Sequence, residues 1–335
     1  MKIAFFEAKP WEQEYIKNQL KDIDVVFFDQ KLSVENADLA KDAQVISGFV
    51  DSQISKEMLA KLPNLKMIAT RSTGFDHIDM QACKEKNIIV CNVPFYGENT
   101  VAEHTFALIL DLSRKIHESI EQVKKEGFSI GGLMGFDLMG KTLGIVGTGH
   151  IGMHVARIAK GFEMNVVAFD AKPDKKLAKK LGFAYVTLED LLKSSDIITL
   201  HLPLNAHTEH IINSSNAELI KKGAYLINTA RGGLIETAAL VNALAKGIVA
   251  GAGLDVLEEE CYIKEEGELL SSDFSKKCDI RTLLQNHILM EKSNVVITPH
   301  NAFNSKEALE RILDTTVGNI QSFSKNKPTN LVSSL

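Results

Sequence analysis

Three side chains suited to anion binding and proton transfer follow predicted strands in the second half of the chain. Arg231 lies in INTARGG, Glu260 ends the acidic run of GLDVLEEE, and His300 lies in ITPHNAF. A guanidinium holds a carboxylate or polarises a carbonyl with a rigid fork of donors, and an imidazole exchanges a proton near neutral pH. A carboxylate bonded to the other imidazole nitrogen would fix the ring's tautomer and favour its charged form. With a nicotinamide, this set suits hydride transfer to or from a 2-oxo acid.

A dinucleotide site is indicated by the stretch of residues 141–170, which reads as strand, glycine turn, helix and strand. Gly147, Gly149 and Gly152 have the G-x-G-x-x-G spacing directly after an apolar run. The first glycine permits the tight turn, the second lets the backbone approach a pyrophosphate, and the third lets the helix pack on the strand. The helix that follows directs its free N–H groups and dipole at the same phosphate.

The acid at the end of this stretch indicates which dinucleotide is bound. Asp170 lies 18 residues beyond Gly152, about where such sites place a carboxylate for the ribose hydroxyls. It would repel a 2′-phosphate and accept from a free 2′-hydroxyl, so we expect NAD rather than NADP. Lys172 and Lys175 follow closely and leave NADP open as an alternative.

The segments that carry these residues alternate between strand and helix patterns along the whole chain, which predicts parallel sheets with helices on both faces. Five strands are expected before the glycine turn, at residues 2–7, 24–29, 44–49, 66–71 and 88–93. Six more are expected from the turn onward, at residues 143–146, 166–170, 196–202, 224–229, 251–256 and 294–298. Six is the strand count of a doubly wound dinucleotide domain. The predicted fold is therefore α/β, with two doubly wound parallel-sheet domains.

The connections between strands suggest where the domains begin and end. The pattern of residues 98–125 predicts one long helix, followed by a glycine-rich loop whose Phe128, Met134 and Phe136 could dock on a neighbouring surface. Residues 261–292 form the longest polar connection and are expected to carry helices of their own, and a last helix is expected at residues 305–324. We expect a substrate domain of residues 1–98 plus 301–335 and a nucleotide domain of residues 99–300.

Composition and net charge argue against some classes of ligand and location. Among 335 residues, 45% are hydrophobic and 24% charged, and the net charge of −5 offers no electrostatic reason to expect nucleic acid or a membrane surface. We see no signal peptide and no apolar window long enough to span a bilayer. The four cysteines show no C-x-x-C pairing, so we expect reduced thiols and a cytoplasmic protein.

Seven segments together resemble the D-isomer-specific 2-hydroxyacid dehydrogenase family, most closely its D-lactate dehydrogenase branch. They are RSTGFDHIDM (71–80), CNVPFYGENTVAEHT (91–105), GIVGTGHIG (144–152), LHLPLNAHT (200–208), LINTARGGLIE (226–236), GLDVLEEE (253–260) and ITPHNAF (297–303). The resemblance covers essentially the whole chain. It implies that Arg231 is the catalytic arginine, that Glu260 is the glutamate 29 residues on, and that His300 is the acid–base histidine. The 40 residues from Glu260 to His300 resemble the extended loop of the lactate branch.

The same resemblance implies roles for other residues. Thr73 and Gly74 should offer backbone N–H groups to the substrate carboxylate, and Tyr96 and Phe303 resemble pocket residues. Besides the three glycines, the implied cofactor contacts are His150, Ile151, Asp170, Leu202, Pro203, Thr208, Thr229, Ala230 and Asp255. The resemblance also implies a flavodoxin-like catalytic domain beside a Rossmann NAD-binding domain, cleft closure on binding, and a homodimer held through the nucleotide domain.

Other interpretations of individual residues compete with these. His201 also ends a strand and is the rival acid–base, although its apolar flanks favour a structural histidine on the cofactor side. His150 and His154 are four residues apart, a spacing that can bind metal, but no third ligand is evident and we expect no metal. The run of residues 258–260 would alone be typical of a solvated face.

The function expected from the sequence is the NAD-dependent interconversion of a 2-oxo acid and its (R)-2-hydroxy acid, with pyruvate and D-lactate as first choice. A bulkier acid such as phenylpyruvate or a branched-chain keto acid is the alternative within this class. A NAD-sensing corepressor of the same fold, or a non-catalytic nucleotide-binding scaffold, is the alternative outside it.

Overall fold

The computed structural model describes residues 1–260 and 279–332. The chain divides into two compact units, each of which is described by itself. Unit 1 consists of Met1–Tyr96 and Ser305–Leu335, and unit 2 of Gly97–Asn304. Within the described residues, none of the helices combines the length and the apolar character that crossing a membrane requires.

Unit 1 is built on a five-stranded parallel sheet with the strand order β2-β1-β3-β4-β5. Its strands are β1 (Lys2–Phe5), β2 (Asp24–Phe27), β3 (Val45–Ser47), β4 (Met67–Ala69) and β5 (Ile89–Cys91). Its helices are α1 (Pro10–Gln19), α2 (Lys56–Ala60), α3 (Met80–Glu85) and, at the end of the chain, α11 (Lys306–Ser324). The strand order reverses between β1 and β3, which is the kind of switch point where open α/β sheets bind ligands.

The core of unit 1 follows from the alternation of side chains along β1. Ile3 and Phe5 point to the face covered by α1 and α11, where they pack in one cluster with Ile16 and Val317. Ala4 points to the opposite face and joins a second cluster. Both faces are apolar because a parallel sheet is covered by helices on both sides.

Unit 2 is built on a seven-stranded parallel sheet with the order β12-β11-β10-β9-β6-β7-β8. Its strands are β6 (Thr142–Val146), β7 (Asn165–Phe169), β8 (Ala184–Tyr185), β9 (Ile197–Leu200), β10 (Ala224–Asn228), β11 (Val249–Leu254) and β12 (Val295–Ile297). From β8 to β11 this is the order of a doubly wound dinucleotide fold. The prediction of two parallel-sheet α/β domains is confirmed. Strand β8 was missed because two residues are too few to show a period.

The helices of unit 2 differ from the prediction at one place. They are α4 (Glu98–Arg114), α5 (Ile116–Glu126), α6 (His150–Gly161), α7 (Lys175–Leu181), α8 (Leu188–Ser194), α9 (Thr237–Ala245) and α10 (Ile280–Met290). The single helix expected at residues 98–125 was wrong, because Lys115 adopts a left-handed conformation (φ 52°, ψ 48°) that separates α4 from α5. The Asp111 carboxylate holds the break by accepting from the backbone N–H of His117 at 2.8 Å and contacting its ring nitrogen at 3.0 Å.

The glycine-rich loop after α5 contains both docked and exposed apolar side chains. Phe136 packs within its own chain, with its ring 4.9 Å from that of Tyr225. Phe128 is 97% exposed and Met134 is 89% exposed. Of the helices expected at residues 261–292, α10 is present, and the remainder of that expectation falls on residues 261–278, outside the described part of the chain.

Candidate active site

The glycine turn between β6 and α6 leaves an open backbone surface at its centre. Gly147 has φ +97°, and a Cβ there would lie 2.6 Å from the carbonyl oxygen of His201. A Cβ on Gly152 would lie 2.1 Å from the carbonyl oxygen of Gly147, so the helix packs directly on the turn. A Cβ on Gly149, which precedes α6, would meet no atom within 4 Å. The middle glycine therefore presents bare backbone at a helix N-terminus, which is the surface a pyrophosphate requires.

Asp170 follows β7 and is held next to this turn by three hydrogen bonds. Its carboxylate accepts from the N–H of Thr148 at 2.7 Å, from the hydroxyl of Thr148 at 2.9 Å and from the N–H of Lys172 at 2.8 Å. The hydroxyl of Tyr185 on β8 lies 2.8 Å from that of Thr148. Partial burial acts to raise the pKa of Asp170, but these hydrogen bonds outweigh it and the pKa lies below its usual value. The group is therefore anionic at neutral pH.

His201 follows β9 and is held as a neutral ring. Its Nε2 lies 2.9 Å from the hydroxyl of Thr199, whereas its Nδ1 is buried and has no hydrogen-bond partner within the described residues. Burial lowers the pKa of the ring to about 3, so it carries no charge at neutral pH. A ring that stays neutral is poorly suited to the acid–base role that competes with His300.

Other residues expected to contact the cofactor lie in the loop after β9 and at the start of α6. Leu202 lies against the turn, with Cδ2 2.8 Å from a Cβ built on Gly147. The hydroxyl of Thr208 donates to the carbonyl oxygen of Pro203 at 2.6 Å and closes that loop. His150 is an exposed residue at the start of α6, and Ile151 packs against a core cluster.

Arg231 follows β10 on a loop that packs against the turn carrying Glu260. The side chain of Asn228 bridges this loop by donating to the carbonyl oxygen of Arg231 at 2.9 Å and accepting from the N–H of Ala230 at 3.1 Å. A Cβ on Gly232 would lie 2.0 Å from the carbonyl oxygen of Leu257, three residues before Glu260. The two loops are thus in direct backbone contact, and only glycine fits between them.

His300 and Glu260 form a close pair of ionisable groups in the site. Nδ1 of His300 lies 2.5 Å from Oε1 of Glu260, and their side chains are 26% and 30% exposed. The other carboxylate oxygen of Glu260 accepts from the N–H of Leu257 at 3.2 Å. Within the described residues, no hydrogen bond engages Nε2 of His300. The ring therefore presents this nitrogen to a reactant while the carboxylate fixes the other.

The acidic run that ends in Glu260 is structured and does not form a uniform solvated face. Glu258 accepts from the N–H of Thr237 at 2.8 Å and lies 2.5 Å from Nε2 of His210. Glu259 accepts from the N–H of Asp279 at 3.0 Å. Each carboxylate of the run has its own partner, which determines which one reaches His300.

Asp255, expected to contact the cofactor, is 1% exposed and holds the turn around His300. Its carboxylate accepts from the N–H groups of Asn301 and Ala302, both at 2.9 Å, and from the hydroxyl of Thr298 at 2.5 Å. Burial acts to raise the pKa of Asp255, but hydrogen bonds from His104, Thr298 and these N–H groups bring it below its usual value. Asp255 is therefore an anion enclosed by donors.

Thr229, expected to contact the cofactor, bonds to a residue of helix α4. Its hydroxyl lies 2.9 Å from that of Thr105 on this helix. Phe303 is a partly buried residue three positions after His300. The structure thus pairs His300 with Glu260 and places the loop of Arg231 against the turn that leads to Glu260, all within unit 2.

The expected substrate residues of the N-terminal segment lie in unit 1. The hydroxyl of Thr73 donates to the carbonyl oxygen of Val93 at 2.7 Å, and the carbonyl oxygen of Gly74 accepts from Ser72 at 2.6 Å. In the described part of the chain, no acceptor engages the N–H groups of Thr73 and Gly74. Both N–H groups are thus available as donors to a carboxylate. Tyr96 ends this part of unit 1, and its carbonyl oxygen accepts from Arg311 at 2.5 Å.

Four polar residues of unit 2 were not foreseen from the sequence. Thr148 donates to Asp170 and is itself bonded to the hydroxyl of Tyr185, and His104 and Thr298 lie against Asp255. No pattern marks them, because their partners are distant in sequence. Among residues 1–260 and 279–332, no group of three or more His, Cys, Asp or Glu side chains has the arrangement of a metal site.

Unit 2 as a whole fits NAD. The bare backbone at Gly149 suits the pyrophosphate, and anionic Asp170 suits the ribose hydroxyls. The orphaned Nδ1 of His201 lies at the end of β9, beside β6 in the sheet, where the strand order reverses and where such folds bind dinucleotides.

Comparison with known proteins also indicates an NAD-binding domain. Residues 106–302 match the family model described as D-isomer specific 2-hydroxyacid dehydrogenase, NAD binding domain. The chain is 36% identical over 338 residues to the D-lactate dehydrogenase of Escherichia coli, covering 99% of this chain and 100% of that protein. It is 38% identical over 325 residues to a 2-hydroxyacid dehydrogenase homolog of Zymomonas mobilis, covering 96% of each. The crystal structure of D-lactate dehydrogenase from Aquifex aeolicus, complexed with NAD and lactic acid, superposes with a TM-score of 0.85 at 38% identity, covering 97% of this chain and 96% of that one.

Proposed function

The chain belongs to the D-isomer-specific 2-hydroxyacid dehydrogenase family and is an NAD-dependent enzyme of that family; we propose that its reaction is the reduction of pyruvate to D-lactate. The observation that carries this proposal is the contact of 2.5 Å between Nδ1 of His300 and Glu260, beside the loop of Arg231. A non-catalytic nucleotide-binding scaffold has no need of such a pair at a strand end.

His300 is the proton donor in this proposal. Its Nδ1–H donates to the Glu260 carboxylate, so the proton that leaves the charged ring is the one on Nε2. NADH, when bound, supplies the hydride that reaches C2 of the substrate. The proton from Nε2 goes to the carbonyl oxygen, and Glu260 stabilises the imidazolium before the transfer.

Arg231 and the donor pair at Thr73 and Gly74 bind the substrate in this proposal. The guanidinium holds the carboxylate and polarises the carbonyl, and its charge favours the oxyanion that develops at C2. The N–H groups of Thr73 and Gly74 bind the carboxylate.

We assign the substrate domain to residues 1–98 plus 301–335 and the NAD domain to residues 99–300. The NAD domain so defined contains nearly all of the matched segment 106–302.

We propose pyruvate over other 2-oxo acids as the substrate on two grounds. Tyr96 and Phe303 supply bulk but no second positive charge, which disfavours a dicarboxylate. The Aquifex aeolicus structure, similar over 97% of this chain, is described as a complex with lactic acid. A small monocarboxylate is the simplest substrate compatible with both observations.

A panel of 2-oxo acids tests this choice of substrate. Initial rates with NADH and with NADPH are compared for pyruvate, phenylpyruvate, a branched-chain keto acid and oxaloacetate. We expect the highest kcat/KM for pyruvate with NADH. A higher value for one of the bulkier acids would transfer the assignment to that substrate, and a higher value for oxaloacetate would refute the argument from Tyr96 and Phe303.

We further propose a homodimer held through unit 2. On α5, Ile116, Ile120 and Val123 recur at helical spacing and are 48%, 51% and 45% exposed, and Phe128 follows in the adjoining loop. A contiguous apolar face of this kind is typical of a protein interface. Sedimentation velocity of the native protein and of Phe128→Asp tests it. We expect a dimer for the former and a shift toward monomer for the latter.

A cytoplasmic location is proposed from the two described cysteines. Cys83 and Cys91 are buried free thiols, as a reducing compartment keeps them. Burial raises the pKa of each to about 11, so neither is a reactive thiolate. Fractionation of cells that produce the protein tests the location, and recovery outside the cytoplasmic fraction would contradict it.

A further inference from the structure

We propose that His104, on α4, is a positioning residue for His300 and acts on it through the hydroxyl of Thr298 and the carboxylate of Asp255. The inference deepens the proposed function, because it rests on the assignment of His300 as the proton donor. Among the described residues, His104 makes no hydrogen bond to His300 and reaches Thr298 and Asp255 instead.

The turn that carries His300 has to be held in place, because its backbone is unusual. His300 has φ +51°, in the left-handed region that side chains with a Cβ seldom adopt. Its N–H donates to the carbonyl oxygens of Asp255 and Thr298, both at 2.9 Å. The carboxylate of Asp255 binds the next two N–H groups of the turn. Asp255 therefore sets the conformation in which Nε2 of His300 is presented.

The hydrogen-bond directions around Asp255 place His104 at the end of a relay. The hydroxyl of Thr298 donates to Oδ1 of Asp255 at 2.5 Å, so its only hydrogen is used. Nε2 of His104 lies 3.1 Å from that hydroxyl oxygen and 3.5 Å from Oδ1 itself. Because the oxygen of Thr298 is left as an acceptor, His104 carries its hydrogen on Nε2 and donates it. The imidazole thus orients the hydroxyl that in turn helps to hold Asp255.

The position of His104 on α4 explains how a helix can hold two catalytic loops. His104 reaches Thr298, two residues before His300, and its neighbour Thr105 reaches Thr229, two residues before Arg231. Both strand ends are thereby tied to consecutive residues of one helix. The side chain of His104 is 22% exposed and that of Asp255 is fully buried, so water has little room to replace the imidazole.

Two substitutions of His104 separate positioning from general structural support. His104→Leu removes the donor, and we expect kcat to fall about tenfold or more, since displacements of catalytic groups on the scale of an ångström cost that much. The dissociation constant of NADH, measured from cofactor fluorescence, and the KM for pyruvate should change little. His104→Gln places an amide N–H near the same position and should restore most of kcat. The matched control is His117→Leu, which removes another imidazole–carboxylate contact, with Asp111, and should leave kcat unchanged.

A double-mutant cycle with His300→Gln decides whether the effect passes through His300. Residual rates are measured at high enzyme concentration. If His104 acts through His300, His104→Leu should cost nothing further in the His300→Gln protein; an undiminished cost there would overturn the inference alone. A native kcat for His300→Gln would instead refute the proposed role of His300, and the inference with it. Thr298→Val cuts the same relay at its other end, should show the same loss, and serves if His104→Leu does not fold.

Discussion

Two glycines of the turn, Gly152 and Gly149, should respond differently to the same added methyl group, which gives a stringent test of the nucleotide site. In Gly152→Ala the new Cβ would lie 2.1 Å from the carbonyl oxygen of Gly147. Ordinary contact begins at 3.4 Å, so the start of α6 and the turn would have to separate by 3.4 − 2.1 = 1.3 Å. The clashing oxygen belongs to the backbone and cannot rotate away. Overpacking of this kind costs about 3 kcal/mol, which for a domain of this size lowers Tm by about 6–12 °C.

Gly149→Ala should behave in the opposite way. Its Cβ meets no atom within 4 Å, and φ is −64°, so the only expected cost is that of alanine at a helix N-cap, and Tm should fall much less than in Gly152→Ala. The methyl group occupies the bare backbone surface, and we expect NADH binding to weaken about tenfold or more, which corresponds to about 1.4 kcal/mol. Gly161→Ala, at the other end of α6 and also without close neighbours, is the matched control: NADH binding should stay unchanged, and Tm should rise slightly because alanine favours the helix more than glycine does.

Thermal unfolding and titration of cofactor fluorescence measure both effects. A Tm for Gly152→Ala equal to that of the native protein would refute the packing argument. Native affinity for NADH in Gly149→Ala would refute the assignment of this backbone to the pyrophosphate.

Three further predictions concern charges. Asp170→Ala removes the carboxylate that favours a free ribose hydroxyl, so the preference for NADH over NADPH should fall about tenfold in kcat/KM; an unchanged preference would contradict the ribose argument. For His201, the pKa of about 3 in the folded protein lies below the value near 6.5 in the unfolded chain. The unfolded state therefore binds more protons, and stability is lost as pH falls below about 6.5. Urea unfolding of the native protein should show about 2 kcal/mol of this loss from pH 7 to pH 5, and His201→Gln should lose correspondingly less; equal losses would refute the neutral ring. Arg231→Gln should lower kcat/KM about 10²–10³-fold with NADH affinity nearly unchanged, and unaltered turnover would remove Arg231 from the mechanism.

The parts of the structure that depend on local sequence were predictable. The glycine spacing at residues 147–152, the apolar strand before it and Asp170 all lie within one continuous segment, and each residue type answers to a local backbone requirement. The alternation of strands and helices likewise indicated parallel sheets. The family motifs then added residues such as Thr73 and Phe303, which no local rule singles out, and their roles stay predictions.

The features that were missed depend on partners distant in sequence or on one side chain that breaks a regular pattern. The break at Lys115 is held by the side chain of Asp111, and α4 and α5 would otherwise continue the same helical pattern. His104 and Thr298 are 194 residues apart, so nothing near either residue marks their contact. Asp255 was expected at the cofactor, and the structure adds that its carboxylate holds the turn of His300. Such networks become visible only once the strand ends meet at one edge of the sheet.

The stereochemistry of the product tests the central claim most directly. The protein is mixed with NADH and pyruvate, cofactor oxidation is followed by absorbance, and the lactate formed is assayed separately for each enantiomer. We predict oxidation of NADH with formation of D-lactate in equal amount. Formation of L-lactate, or no reaction with pyruvate under conditions where NADH is bound, would contradict the proposed reaction.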